Sequence, residues 1–341
     1  MLSYKITWMP LSSLSTPLQS DTIFGHLCWA VKYLWEETSL EKLLSDLKEN
    51  NRLILSSAFP AGTLPKPSLP VKHEIINQIR KKLLSELNKN PIDDLGIAHV
   101  LKKARKKPHI SHSVLKEAGY VYDLPAVLYD QTKKEALDYI DRIIQVKGRG
   151  LLTVKDPKQE ERCTEFHNMI DRQSGTTSGS GEFFANPTTF FKDRCFESWL
   201  DTDIYTLEQL QELFQFIQLH GFGKDKNTGK GRFEIKVEPF TWPNCNHYNA
   251  YLCLSNMVPA HSDNVLSSYN GKAKFAKIGG DYATSETPFK YPLLMFEPGA
   301  VFFAGENKTP PLGCLLDNIH NNKDIVQNLY AYSIPLQIKG V

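Results

Sequence analysis

The chain has 341 residues, 41% of them hydrophobic, and its 40 Lys and Arg against 38 Asp and Glu leave a net charge of only +2. That length accommodates one large domain or two of ordinary size, with apolar side chains enough for a sizeable core. No apolar run reaches the ~18 residues of a membrane span, and the amino-terminal MLSYKITWMP lacks the charged start and apolar run of a secretory signal, so the expectation is a cytoplasmic protein.

Six cysteines (Cys28, Cys163, Cys195, Cys245, Cys253, Cys314) are scattered without a C-x-x-C pair, and the ten histidines form no H-E-x-x-H group. Zinc ribbons and redox motifs need such pairs, so reduced thiols, no metal and no cofactor are expected. Charge is unevenly spread: residues 71–149 carry 16 Lys and Arg against 10 Asp and Glu, 219–236 five against two, and 150–218 six against 12. Such asymmetry suits a nucleic-acid face kept apart from protein contacts.

In chain order, Ser3 to Trp8 alternates as a strand, and Pro10 to Pro17 is a loop. Ser20 then caps a helix in which Phe24, Leu27, Cys28, Val31 and Trp35 recur at helical spacing, with Asp21 where the helix dipole favours an acid. Taken alone, Ser20-Asp21-Thr22 is helix capping. Thr38-x-x-Glu41 is a capping box for a second helical stretch through Lys48, and Arg52 to Ala61 reads as a strand ending in the proline-rich Leu64 to Pro70. This β-α-β order is the first half of a ferredoxin-like fold.

Residues 71–149 read as an inserted helical region, with an apolar face of Ile75, Ile76, Ile79, Leu83, Leu84 and Leu87 and a basic run from Leu101 to Lys107. That run is a solvated helix face or a contact for RNA or another subunit. Gly150 to Val154 resumes strand character. Asn168 to Gly181 (NMIDRQSGTTSGSG) is a linker by composition, and Phe196 to Ile204 is a strand. Thr206-x-x-Gln209 boxes a helix bearing Leu207, Leu210, Leu213, Phe214 and Ile217.

That helix delivers LHGFGKDKNTGKGRFEIKV, Leu219 to Val237, where Gly221, Gly223, Gly229 and Gly231 alternate with Lys224, Lys226, Lys230 and Arg232 before a strand. Glycines admit positive φ and successive free N–H groups make an anion nest, so a polyanion is the expected ligand. Nucleotide loops do not fit the spacing: five residues separate Gly223 from Gly229, Gly231 rather than a hydroxyl follows Lys230, and the loop follows a helix. The bland alternative is a solvated loop. Beyond Pro239-Phe-Thr-Trp-Pro243, strands are expected at Tyr251 to Val258, Lys272 to Ile278, Leu293 to Phe296, Ala300 to Phe303 and Leu329 to Ile338, making a second, less regular ferredoxin-like unit. Lys272 and Lys274 would share one strand face, either a phosphate track or a charged edge that resists pairing.

HGFGKDKNTGKGRFEI resembles the glycine-rich loop of the RAMP superfamily of CRISPR RNA-binding proteins. Three further stretches, SDTIFGHLCWA at 20–30, Leu64-Pro65-Lys66-Pro67 and NMIDRQSGTT at 168–177, resemble in order the subunit that caps the guide-RNA 5′ end in type III-A (Csm) interference complexes, the fourth Csm subunit. The resemblance implies an α+β protein of two ferredoxin-like (RRM-like) units, 1–238 and 239–341, with the helical insertion at about 71–149 and a thumb-like β-hairpin at about 160–190. It implies a non-catalytic RNA-binding subunit that grips the repeat-derived 5′ tag of the guide and contacts the large signalling and DNA-cleaving subunit and the backbone RAMP subunits. The residues expected on RNA are Ser20, Asp21 and Thr22; Asn168, Ile170, Arg172, Thr176 and Thr177 on the thumb; and Gly221, Gly223, Lys224, Lys226, Thr228, Gly229, Lys230, Gly231 and Arg232 in the loop.

Two other readings stay open. A guide-processing endoribonuclease of the same superfamily would need a histidine general base near the first helix, for which His26 and His167 are candidates by type. A target-cutting backbone subunit would rely on a loop aspartate, Asp21 or Asp171.

Overall fold

In the computed structural model, which describes residues 1–341 apart from 51–52, 89, 150–159, 169, 178–182, 264–265, 305–309 and 340–341, the first strand, β1 (Leu2–Pro10), alternates as its sequence does. Tyr4, Ile6 and Trp8 turn into the core, and the residues between them stay partly exposed. Helix α1 (Ser20–Asn50) buries Ile23, Phe24, Leu27, Ala30 and Val31. It breaks at Trp35 and at Glu36, whose φ is 71°, just ahead of Thr38, so the two helical stretches read from the sequence join across a kink. The strand expected over Arg52–Ala61 is split into β2 (Leu53–Leu55) and β3 (Phe59–Pro60), because Ser57 turns aside to donate to the Leu254 carbonyl, while Ser56 N–H still meets the Trp199 carbonyl of the neighbouring strand.

After β4 (Thr63–Pro65) come α2 (His73–Glu86), α3 (Asp94–Arg105), β5 (His109–Ser111), α4 (His112–Glu117), β6 (Val121–Asp123) and α5 (Leu124–Arg149). Leu83, Ile97, Val100, Ala104 and Leu128 give α2, α3 and α5 a small core of their own. In the basic run Leu101 and Ala104 are buried, while Lys103 and Lys107 lie 2.5 Å and 2.6 Å from Glu135. The strand expected at Gly150–Val154 lies outside the described residues. Then β7 (Glu160–Asn168) and β8 (Phe183–Phe191) form an antiparallel hairpin in unbroken register, from Glu160 opposite Phe191 to Asn168 opposite Phe183.

Strand β9 (Phe196–Thr202), helix α6 (Leu207–His220) and strand β10 (Phe233–Pro239) complete the first unit. Both halves of the expected capping box form: Gln209 N–H donates to Thr206 Oγ1 at 3.3 Å, and Thr206 N–H to Gln209 Oε1 at 2.9 Å. The antiparallel sheet runs β10-β1-β9-β2. Trp8 sits at its centre, edge-on to Phe214, Phe222 and Phe233 with its Nε1–H on Ser198 Oγ.

The second unit comprises β11 (Ala250–Cys253), β12 (Ser267–Ser268), β13 (Gly271–Lys274), β14 (Leu293–Phe296), β15 (Val301–Phe303), β16 (Gly313–Leu316), β17 (Gln327–Tyr330) and β18 (Ser333–Lys339). Its main sheet runs β12-β15-β11-β18. Counted within its own unit, each sheet therefore reads fourth, first, third, second, the ferredoxin-like order of an α+β fold. Among the described residues of 250–339 there is no α-helix, only a 3₁₀ turn at Gly280–Thr284, and the β16–β17 hairpin stands in chain order where a second helix would. Strand β6 extends this sheet by pairing parallel to β18, Val121 opposite Gln337, so the insertion is stitched to the second unit as well as the first.

Candidate nucleic-acid interface

Helix α6 ends at Gly221, where a φ of 78° lets its N–H return to Ile217 O at 2.8 Å. The arms of the loop beyond do not open into the expected anion nest. Phe222 N–H donates to Gly231 O, Gly223 N–H to His26 Nε2 at 2.9 Å, Lys224 N–H to Thr16 Oγ1 at 2.9 Å, Gly231 N–H to Ser13 O, and Arg232 N–H to Ser12 Oγ. Thr228, Gly229 and Lys230 turn their N–H groups onto the carbonyls of Asp225 and Lys226. Glycine is needed here for close packing: at Gly231 (φ +65°) a Cβ would stand 2.0 Å from Phe222 O, and at Gly223 (φ +77°) 2.5 Å from Thr16 Cβ. The arms of the loop close on residues 12–26 because those residues offer acceptors, which narrows the expected backbone cradle to the tip, where among the described residues no protein acceptor meets the N–H groups of Asp225, Lys226 and Asn227.

Its side chains divide. Lys224 bonds Asn186 on β8, and Asn186 Nδ2 also donates to Asp225 Oδ2 at 3.2 Å. Lys230 is buried against Glu165 on β7, and Arg232 caps the Leu219 carbonyl. The hairpin is thus strapped to the loop at its Glu165–Asn186 pair, beyond the middle of the two strands. At its turn end Asn168, Ile170, Arg172, Thr176 and Thr177 are exposed, with a tight turn closed by Asp171 N–H to Thr176 O and by Gln173 N–H to Asp171 Oδ1. Phe166 and Phe183 stack 5.6 Å apart while remaining 66% and 63% exposed, a surface that a lone soluble hairpin has no reason to keep.

Ser20 and Asp21 are placed elsewhere. Both are buried at the junction of the two units: Ser20 Oγ accepts from Asn256 N–H, and Asp21 accepts from Asn256 Nδ2 at 2.9 Å, Gln327 Nε2 at 2.6 Å and Lys274 Nζ at 2.5 Å. Lys274 also donates to Thr22 Oγ1. A phosphate reaching Ser20 or Asp21 would have to break these bonds. The same geometry corrects the lysine strand: Lys272 and Lys274 do share a face of β13, but it turns toward Glu297 and Asp21 rather than toward an open track. Nearby Lys290 donates to the Val326 carbonyl, and burial pulls its ammonium down to about 8.

His26 is part of the loop's anchorage. Its ring stacks on Phe222 at 4.4 Å, and burial, aided by the Lys226 ammonium, pushes it down to about 3. With Nε2 receiving the Gly223 N–H, the ring's lone pair is occupied. His167 stacks on Phe184 at 5.2 Å, with Nε2 3.8 Å from Glu165. Among the described residues no group of three or more His, Cys, Asp or Glu could hold a metal ion, all six cysteines are free thiols, and no helix is long and apolar enough to cross a membrane.

One feature of this face went unread in the sequence: a cleft of about 330 Å³ between α1 and α6, walled by Trp29, Tyr33, Phe216 and His220 with Lys226 at its margin. The signal was available as two aromatic pairs at i, i+4, one on each helix, since that spacing sets both rings on one face.

No protein-family model and no curated protein matches the chain. Among solved structures it matches a chain of the crystal structure of a Csm1–Csm4 cassette in complex with pppApA, with a TM-score of 0.53 at 12% identity over 99% of both chains. A cassette bound to cA4 gives 0.51 at 13% identity over 99% of this chain and 100% of that one. A chain of the Csm3–Csm4 subcomplex of a type III-A CRISPR-Cas interference complex gives 0.52 at 17% identity, covering 98% of this chain and 99% of that one. At these identities what is shared is the fold, and along its whole length the chain has the fold found in these Csm4-containing structures, in keeping with its motif resemblance to the RAMP superfamily and the fourth Csm subunit.

Proposed function

We propose that the protein is a non-catalytic RNA-binding subunit of a type III-A CRISPR complex, which grips the repeat-derived 5′ tag of the guide RNA and caps the assembly between its large subunit and its backbone subunits. The observation that carries this reading is the strap between the glycine loop and the hairpin, Lys224 to Asn186 and Lys230 to Glu165. It holds a basic loop and a hairpin of exposed Phe166, Phe183, Ile170 and Arg172 as one face. Cations beside exposed rings are what a single-stranded nucleic acid requires, the cations for backbone phosphates and the rings for splayed bases. Because the N–H groups on the two arms of the loop are spent on the protein, much of the grip falls to side chains.

The endoribonuclease alternative needs a free histidine lone pair near a 2′-hydroxyl, and the bond from Gly223 N–H to His26 Nε2 counts against His26 as that base. Co-purifying the chain with its neighbouring subunits and sequencing the bound RNA tests the reading. A uniform repeat-derived 5′ end supports it, whereas random RNA, or cleavage abolished by His26→Gln, contradicts it.

A further inference from the structure

Four aromatic rings cross the groove between α1 and α6 as a ladder. Trp29 and Tyr33 lie 5.6 Å apart at 26°, Tyr33 and Phe216 5.9 Å at 24°, and Phe216 and His220 3.8 Å at 20°. Core aromatics bury their faces, yet Tyr33 is 51% exposed and the rings wall an open cleft. The rings are also held in place. The Tyr33 hydroxyl donates to Asp281 Oδ1 at 2.6 Å, and Gly280 packs so closely on Trp29 that a Cβ there would stand 2.3 Å from the indole. His220 Nδ1–H donates to the Phe216 carbonyl at 2.9 Å, which leaves Nε2 as the nitrogen able to accept from a ligand.

Lys226 supplies the charge. Whereas Lys224, Lys230 and Arg232 each have a protein acceptor, no carboxylate lies within 4.0 Å of the Lys226 ammonium among the described residues. Burial and the nearby Arg232 pull it below the usual lysine range, as befits a cation without an anionic partner. A volume of about 330 Å³ sits at the low end of small-ligand sites, ~300–1,000 Å³, enough for one planar heterocycle with its sugar and too little for a duplex.

We propose that this cleft is a nucleotide site, in which one unpaired base of the bound RNA stacks on the ladder from Trp29 to His220 while its phosphate meets Lys226. The proposal rests on the RNA-binding reading and adds to it a single position where the protein holds a base rather than only the backbone. The ligand chemistry, a flat heterocycle carrying a phosphate, is shared with a free mononucleotide, and the test separates the two.

The experiment uses the full chain and synthetic single-stranded RNAs copied from the 5′ end of the RNA that co-purifies with it, each lacking one base. In the parent, base removal at one position is expected to weaken binding roughly tenfold to hundredfold, the range of a base on an aromatic platform. That penalty should shrink to less than about threefold in Tyr33→Leu and in His220→Ala, whose melting curves report whether each is folded, and should persist in Lys224→Ala. If the parent binds RNA and no position is costly, or the costly position stays costly in both ring variants, the cleft is not the base site and the RNA-binding reading survives. If the parent binds none of these RNAs, both fall. Displacement of the RNA by adenosine monophosphate at micromolar concentration would assign the cleft to a free nucleotide and overturn its assignment to the strand.

Discussion

The two units share a strand order and differ in what covers it. In the first, α1 and α6 pack on the sheet, and their ends place the glycine loop and the ring-lined cleft side by side. In the second, the β16–β17 hairpin stands where the second helix would, and Leu252, Leu254, Val301, Ile334 and Leu336 find cover in Tyr120 and Tyr122 of the insertion and Trp199 of the first sheet. The lesson is that the second unit is not self-sufficient. It leans on its partner, and in return lends Gln327, Lys274 and the Gly280 turn to the first unit's helix.

If that dependence is real, the junction is its weak point. Asp21→Ala would leave Lys274, Gln327 and Asn256 facing a side chain that accepts nothing, and removing one partner of a buried ion pair costs ~3–5 kcal/mol. Chemical denaturation of the full chain checks it. A loss below ~1 kcal/mol would mean that the two units are held together elsewhere.

A smaller effect separates the loop's glycines. Gly231→Ala combines a left-handed φ with a backbone clash, while Gly229→Ala (φ +91°) meets nothing within 4 Å and bears conformational strain alone. Strain of that kind is worth ~1–3 kcal/mol, so Gly229→Ala should fall in that range and Gly231→Ala above it. Equal losses would show that the loop is not packed on Phe222 as described.

The third test concerns His26. Its ordinary value of 6.5 falls to about 3 in the fold, so between those limits the unfolded chain holds a proton that the folded chain lacks. The neutral ring's contribution is whole above ~6.5 and declines as pH falls toward 3. His26→Gln retains an acceptor for Gly223 N–H without titrating, and its stability should fall less steeply than the parent's over that range. Parallel curves would remove His26 from the loop's anchorage.

Much of the first unit was legible because its signals are local. The Tyr4-Ile6-Trp8 alternation and the Thr206–Gln209 box each act within a few residues, and each appears in the fold, whereas Ser20, read as a helix cap, stands at the start of α1 with its Oγ accepting from Asn256 N–H instead. What could not be read was long-range. Nothing near Asp21 announces Asn256 or Lys274, more than 200 positions away, and nothing in the glycine spacing says that its N–H groups will find Ser12, Ser13 and Thr16. The aromatic pairs on α1 and α6 were visible, but only the packing of the two helices turns two pairs into one wall.

The most direct test of the central claim is the salt dependence of RNA binding. Lys224 is exposed and Lys226 partly so, whereas Lys230 is buried against Glu165. Each phosphate contact on single-stranded RNA contributes roughly 0.7 to the slope of log affinity against log salt. Lys224→Ala and Lys226→Ala should each flatten that slope by about this amount, and Lys230→Ala should lower stability with the slope little changed. An unaltered affinity and slope in both Lys224→Ala and Lys226→Ala would contradict the account and leave the stretch as a solvated loop.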